Sequence, residues 1–253
     1  MLSLTVANLT IVKNDFVSIF KGLPVIRNIL LWLGRTILAF VFFTVLVVAL
    51  FRVVPPAVTP LMVWRVLQAP FTGKSLLVKH HWVSMSNISN NMGRAMIAGE
   101  DAGFMRHHGI DWKAVDRAKR ANVARLRKGK QPLGASTITM QTCKNVFLAP
   151  IRSMLRKGAE VYFVYLTEAL WGKRRILEVY LNMIEWGDGV YGIHQGAKAW
   201  FGIEPSQLQP EQAALLGAIV PNPRRFSASQ PSPYTKRKAA WIRGRMRGVS
   251  SPK

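Results

Sequence analysis

Acidic side chains are scarce in this 253-residue chain, where 12 Asp and Glu face 35 Lys and Arg for a formal charge of +23. Such an excess implies an anionic partner, whether nucleic acid, anionic lipid headgroups or a phosphorylated substrate, and composition alone does not choose among them. Cysteine is nearly absent too. Cys143 alone excludes an intrachain disulfide and any paired-Cys or Cys/His zinc spacing. The five histidines, His80, His81, His107, His108 and His194, include two adjacent pairs, and neighbours in sequence project in different directions on a helix. Nothing here points to a structural metal. Residues 61–253 carry no repeat, no low-complexity block and no convincing alternating strand pattern. An apolar content of 49% excludes a generally disordered polymer and predicts a packed core.

What is present begins with an apolar run. Thr36 to Phe51, TILAFVFFTVLVVALF, is sixteen residues without a charge, and Val53 and Val54 extend it past Arg52. That length suits a bilayer-spanning helix with a tilted or snorkelling end; a buried core helix is the alternative. Upstream lie Lys13, Lys21, Arg27 and Arg35 against Asp15, with no small-residue cleavage site after the run. This is a signal-anchor pattern. The N-terminus is expected inside and the bulk of the chain outside. Pro55, Pro56 and Pro60 then break the helix.

Helical signals dominate the remainder, so the fold class is mainly α. SNNMGRAMIAG offers Ser89 or Asn90 as an N-cap and Gly99 as a stop; a basic helix runs from about Trp112 to Lys128; SMLRKGAEVYFVYLTEALW has Ser153 as its cap. RRILEVYLNMIEW, EQAALLGAIV and TKRKAAWIRGRM supply three more. No acid occurs from residue 16 to 99, so the pair Glu100-Asp101 stands out. At the carboxyl end of a helix the macrodipole disfavours negative charge on Glu100, a setting suited to a general base or acid. A solvated Glu-Asp pair is the bland alternative.

Three further stretches carry chemistry. GASTITMQTCKNVFL crowds Ser136, Thr137, Thr139, Gln141, Thr142, Lys144 and Asn145 together, a polar density that predicts ligand contacts or else a hydroxyl-rich loop before a helix. In RKGAE, Arg156 and Glu160 are four apart and share a helical face, as any surface ion pair does. KRRILEVYLNMIEWGDGVYG runs from an amphipathic helix into a glycine-rich turn.

In this order the four stretches resemble the peptidoglycan glycosyltransferases, the domain of class A penicillin-binding proteins and of monofunctional biosynthetic transglycosylases. The patterns are Glu100-Asp101-x-x-Phe104-x-x-His107-x-Gly109, Gly134-x-Ser136-Thr137-Ile138-Thr139-x-Gln141-x-x-Lys144-Asn145, Arg156-Lys157-x-x-Glu160 and Lys173-x-x-Ile176-Leu177-Glu178-x-Tyr180-Leu181-Asn182. The resemblance covers about Lys79 to Phe226. Where the second pattern usually reads Gly-Gly-Ser-Thr and Gln-Gln, this chain has Ala135 and Met140, with Cys143 further along, so sugar or phosphate contacts there are expected either to weaken or to come from Gln141 alone.

The resemblance implies a lysozyme-like domain that polymerises lipid II by inverting transfer. Glu100 would be the base, with Glu160 as the second catalytic glutamate. Lys144, Arg156 and Lys157 would hold the pyrophosphate, Arg as a planar fork and Lys as a point charge. Ser136, Thr137, Gln141 and Asn145 would meet sugar or phosphate oxygens. Asp101, Phe104, His107 and Asn182 complete the expected substrate-binding set, with Asp101 and His107 supporting the base more than reacting. No cofactor is required by the sequence; Mg2+ or Mn2+ at the pyrophosphate, with Glu160 as protein ligand, is what the resemblance admits. Nothing after Phe226 resembles a transpeptidase, so glycan synthesis without cross-linking is expected.

The expected organisation is a cytoplasmic segment over 1–35, a transmembrane helix over 36–56, an interfacial segment over 57–78, the glycosyltransferase domain over 79–228 and a basic tail over 229–253. Residues 117–159 hold 11 Lys or Arg and 212–253 hold nine, both without an acid. Basic residues near anionic lipid contribute about 1 kcal/mol each, so inner-membrane lipids are expected partners beside lipid II, the growing glycan, and cell-division or transpeptidase proteins. The expected location is the inner membrane, single-pass, with the catalytic domain periplasmic. Two rivals remain. A lysozyme-type hydrolase would share the fold and a glutamate but does not need the cations, and a membrane-anchored nucleic-acid binder rests on charge alone, with no nucleic-acid motif behind it.

Overall fold

The computed structural model describes residues 24–151 and 153–252, so the expected basic segment with Lys13, Asp15 and Lys21 lies outside the described residues. The chain divides into two compact units, residues 1–48 and 49–253. The described part of the first unit is helical throughout and belongs to α1 (Pro24–Phe51). At about 1.5 Å per residue this helix is about 42 Å long, more than a hydrocarbon core of about 30 Å needs. It is the one described helix long and apolar enough to cross a membrane. The helix holds residues 36–51 of the expected span of 36–56 and begins further upstream. Arg is a good helix former, so the helix continues upstream through Arg35 and Arg27. It stops at Phe51 because Pro55 and Pro56 cannot continue the backbone ladder.

After the end of α1 the second unit continues with α2 (Pro60–Thr72), capped by Thr59, whose side chain accepts from the Met62 amide. Its core has two helical groups. In the first, α3 (Asn90–Glu100) packs with α9 (Pro210–Ile219) and α10 (Pro233–Arg245); in the second, α5 (Ile138–Phe147) packs with α6 (Met154–Leu170) and α7 (Lys173–Met183). The helix α4 (Trp112–Arg127) buries none of its residues. Ser153 caps α6 as its sequence predicts, accepting from the Arg156 amide. The remaining helix, α8 (Gly192–Phe201), covers a small sheet.

That sheet departs from the sequence reading. β1 (Lys79–His80) pairs in parallel with β3 (Val190–Tyr191), which pairs antiparallel with β2 (Glu185–Gly187) across an irregular register. Strands of two and three residues are too short for any alternation to show.

Two further expectations fail on packing. Gly99 does not stop α3, which runs on to Glu100 with Asp101 as its C-cap. A Cβ on Gly99 would come within 3.0 Å of Ile242, so the small residue serves the close approach of α10. Residues 229–253 are likewise no tail. Thr235, Ala239 and Ile242 of α10 are buried, and Arg94 Nε donates to the Met246 carbonyl at 2.8 Å. Alternating small and basic residues hid this buried stripe.

Candidate active site

The end of α3 delivers Glu100 to a point where three other helices hold it. Gln141 of α5 donates through Nε2 to Glu100 Oε2 at 2.9 Å. Behind it, the Tyr180 hydroxyl of α7 donates to Gln141 Oε1 at 3.4 Å. Lys238 Nζ of α10 lies 3.8 Å from Glu100 Oε1. Burial pushes the Lys238 ammonium pKa down, and the Glu100 charge opposes the shift. Tyr180 is fully buried, so its hydroxyl stays protonated far above the ordinary tyrosine range, helped by the charges of Glu100 and Asp101.

Asp101 works in the opposite direction, into the fold. Both its oxygens meet His107 Nε2, at 2.9 and 3.0 Å, and Oδ2 also accepts from the Ile138 amide at 3.0 Å. Ile138 is the first residue of α5, so the Asp101 carboxylate sits at a helix amino end, where donors lack partners and the dipole favours negative charge. Thr137 caps the same helix, accepting from the Met140 amide and donating to the Gly109 carbonyl. Gly109 holds a left-handed backbone (φ 87), and a Cβ there would lie 2.4 Å from Val164 Cγ1. The first and second patterns are thereby locked together.

One turn beyond Gln141 on α5 is Lys144, close enough to the amino end of α6 to feel the charges of Arg156, Lys157 and Glu160. There Arg156 Nη1 and Lys157 Nζ donate to the two oxygens of Glu160 at 2.7 and 2.6 Å. Glu160 is buried and its two partners are partly exposed. Desolvation lowers the Lys144 pKa, reinforced by Arg156 and Lys157 and opposed by Glu160. A cleft of about 420 Å3 opens here. Gln141, Lys144, Asn145 and Arg156 line it with apolar Leu148, Pro150 and Ile151, while Arg65 and Glu185 stand among its other lining residues.

Glu160 does not fit a resident Mg2+ or Mn2+. Both its oxygens are taken by cationic donors, the surrounding charge repels a dication, and no group of three or more His, Cys, Asp or Glu suited to a metal occurs among the described residues.

Residues 72–247 match the family model described as Transglycosylase. The chain belongs to the transglycosylase family. A biosynthetic peptidoglycan transglycosylase of Pseudomonas fluorescens is 46% identical over 203 residues, 80% of this chain and 83% of that protein. One of Rhodospirillum centenum is 47% identical over 197 residues, 78% and 81% of the two chains. One of Pseudomonas syringae is 44% identical over 222 residues, 88% and 92%.

Within this transglycosylase the expected site residues separate into two groups. Gln141, Lys144, Asn145 and Arg156 line the cleft, Glu100 joins them through Gln141, Glu160 and Lys157 join them through Arg156, and Ser136 is exposed ahead of α5. Asp101, Phe104, His107, Thr137 and Asn182 do not present free groups to it. Phe104 is fully buried, with Lys173 Nζ 4.7 Å from its ring centroid. Asn182 is fully buried and spends its amide on the Val83 amide and the Val83 and Glu178 carbonyls, all at 2.9 Å. These side chains build the frame, and membership of a pattern could not tell frame from cleft. Met140 and Cys143 are buried in the core, so these two departures from the usual second pattern lie off the cleft lining. Burial pushes the Cys143 thiol up to about 12, which leaves it inert.

Sequence reasoning missed Lys238 and Arg65. Each arrives from a distant helix, and neither carries a local signal beyond belonging to a basic or apolar run. It also missed a polar knot in which Glu168 Oε1 accepts from Thr139 at 2.6 Å and Lys173 at 2.7 Å, while Lys173 also donates to the His107 carbonyl.

Proposed function

We propose that the protein polymerises lipid II into β-1,4-linked glycan strands, with Glu100 as general base and undecaprenyl pyrophosphate as leaving group. The supporting observation is that Gln141, which holds the base, and Lys144, which belongs to the cation cluster, are three residues apart on one face of α5. One rigid turn therefore sets the distance from proton acceptor to anion site. Glu100 takes the proton from the acceptor GlcNAc C4 hydroxyl as that oxygen attacks the donor MurNAc anomeric carbon. The α-linked pyrophosphate departs from the opposite face, and the centre inverts. Because the leaving group is already anionic, it needs charge neutralisation more than a proton. Lys144, Arg156 and Lys157 supply that charge, and Glu160 keeps Arg156 and Lys157 aligned. Ser136 and Asn145 meet substrate oxygens. A lysozyme-type hydrolase has no use for the cations, and their presence beside Glu100 favours transfer.

The same reading places α1 in the inner membrane with the N-terminus cytoplasmic and the catalytic unit periplasmic. Exposed Val63, Leu67, Phe71, Leu76 and Leu77 give the membrane-proximal segment an apolar surface suited to the bilayer interface. Proteins that cross-link the new strand are the partners that such a product calls for. Polymerisation of labelled lipid II by detergent-solubilised protein, wild type beside Glu100→Gln, tests the reading. A glycan ladder from wild type alone supports it; unreacted lipid II from both defeats it.

A further inference from the structure

The cleft carries two clusters of charge, and the sequence patterns account for one. The first is Lys144 beside Arg156, Lys157 and the buried Glu160. The second lies outside all four patterns. Arg65 Nη2 of α2 is 3.2 Å from Glu185 Oε2 on β2, and Arg224 Nε is 3.6 Å from Glu185 Oε1. Arg65 and Glu185 line the same cleft as Lys144 and Arg156.

The two arginines of the second cluster differ in how their donors are used. Arg224 is committed to Asp188, with Nε and Nη2 at 3.0 and 2.9 Å from Oδ1. Arg65 makes one ion-pair contact, and its buried Nε has no hydrogen-bond partner among the described residues. A guanidinium offers five donors in a planar fork that matches phosphate geometry. By contrast Arg175 spends Nε, Nη1 and Nη2 on Glu178 and on the carbonyls of Phe51 and Val54. Glu185 is itself only partly satisfied. Its buried Oε1 has no hydrogen-bond partner, and neither does the buried hydroxyl of Tyr191, the residue paired with it across β2 and β3. Burial also raises the Glu185 pKa against the pull of Arg65 and Arg224, which makes it a weak holder of Arg65.

We propose that Arg65 is a second phosphate-binding residue of the cleft, held by Glu185 until an anionic substrate displaces that carboxylate. The inference rests on the polymerising reading, because joining two pyrophosphate-linked sugars brings two anions to one cleft and the first cluster serves one of them. When Arg65 turns to the ligand, Arg224 stays on Glu185 and neutralises it. The ligand class is a lipid-linked pyrophosphate. A bilayer headgroup phosphate offers similar chemistry, and the experiment separates the two.

Isothermal titration of the full-length protein in detergent with inorganic pyrophosphate reads both clusters. Two sites are expected in wild type, one in Arg65→Ala and one in Lys144→Ala. Losing a charge-assisted phosphate contact weakens binding about tenfold or more, and Arg65→Lys should fall between wild type and Arg65→Ala because the charge stays while the fork is lost. Glu185→Gln is expected to tighten the Arg65 site and to change nothing when Arg65 is already Ala. Two sites of unchanged affinity in Arg65→Ala overturn the proposal. So does an effect of Glu185→Gln that persists without Arg65. Binding to phosphatidylglycerol vesicles should be the same for wild type and Arg65→Ala; a loss there with pyrophosphate binding intact assigns Arg65 to headgroups and also overturns it. Failure of wild type to polymerise lipid II would sink the enzymatic reading, whereas the titration reports on Arg65 independently.

Discussion

Gln141 spends both ends of its amide within the site, donating to Glu100 Oε2 at 2.9 Å and accepting from the Tyr180 hydroxyl at 3.4 Å. The buried hydroxyl fixes which end of the amide faces Glu100, and the amide fixes the carboxylate. A general base contributes about 10²- to 10⁴-fold to rate. Glu100→Gln should therefore lower kcat by about that factor. Gln141→Ala leaves the base present but unheld and should cost about tenfold to a hundredfold in kcat. Tyr180→Phe should cost less, because it removes only the outer hydrogen bond. Steady-state polymerisation of labelled lipid II gives all three values.

Lys238 makes the site sensitive to alkali. Its folded pKa lies below the ordinary 10.5, so between the two values the unfolded chain binds more protons and stability rises with pH. Lys238→Met removes the titrating group and should flatten that rise in a series of thermal midpoints. Activity moves in the opposite direction. As pH climbs through the lowered pKa, the positive charge beside Glu100 is lost, so the alkaline limb of kcat/KM should fall before 10.5. Lys238→Arg keeps the charge at high pH and should move that limb upward.

Glu160 lies between Arg156 and Lys157, both of which donate to it. Removing its charge leaves the cations of this cluster unopposed. Glu160→Gln should destabilise the fold by about 2 kcal/mol, less than a fully buried pair loses because Lys157 is half exposed. Urea unfolding measures this. Added salt should recover part of the loss by screening the repulsion. Lys144 loses an opposing carboxylate and its pKa should fall further.

Asn182 and Gly109 answer for the frame. Asn182→Ala strands the amide and carbonyl of Val83 and should cost about 2–3 kcal/mol. At a temperature where the variant is folded, its KM for lipid II should match wild type, and a raised KM would return Asn182 to the substrate. Gly109→Ala places a methyl against Val164 in a left-handed backbone and should cost more than about 2 kcal/mol, read as a lower thermal midpoint.

The helices and the cation cluster were legible because their rules are local. Ser153 caps α6 by a contact three residues away, and Arg156 meets Glu160 across one turn. Glu100 was legible through the scarcity of acid before it. The sheet was not, since β1 and β3 lie more than a hundred residues apart and each has two members. Phe104 and Asn182 were placed at the substrate because a pattern preserves frame and cleft residues alike. Arg65 and Lys238 escaped notice for the opposite reason. Each reaches the site across a tertiary contact, and nothing in the residues next to it in sequence encodes that contact.

The helix α10 closes over the end of α3, with Ile242 against Gly99 and Lys238 beside Glu100. A chain emerging from the ribosome presents α3 more than a hundred residues before α10. During that interval α3 lacks the surface on which Gly99 rests, and Glu100 lacks its lysine. The order of synthesis thus leaves the carboxylate without its lysine until α10 has been made.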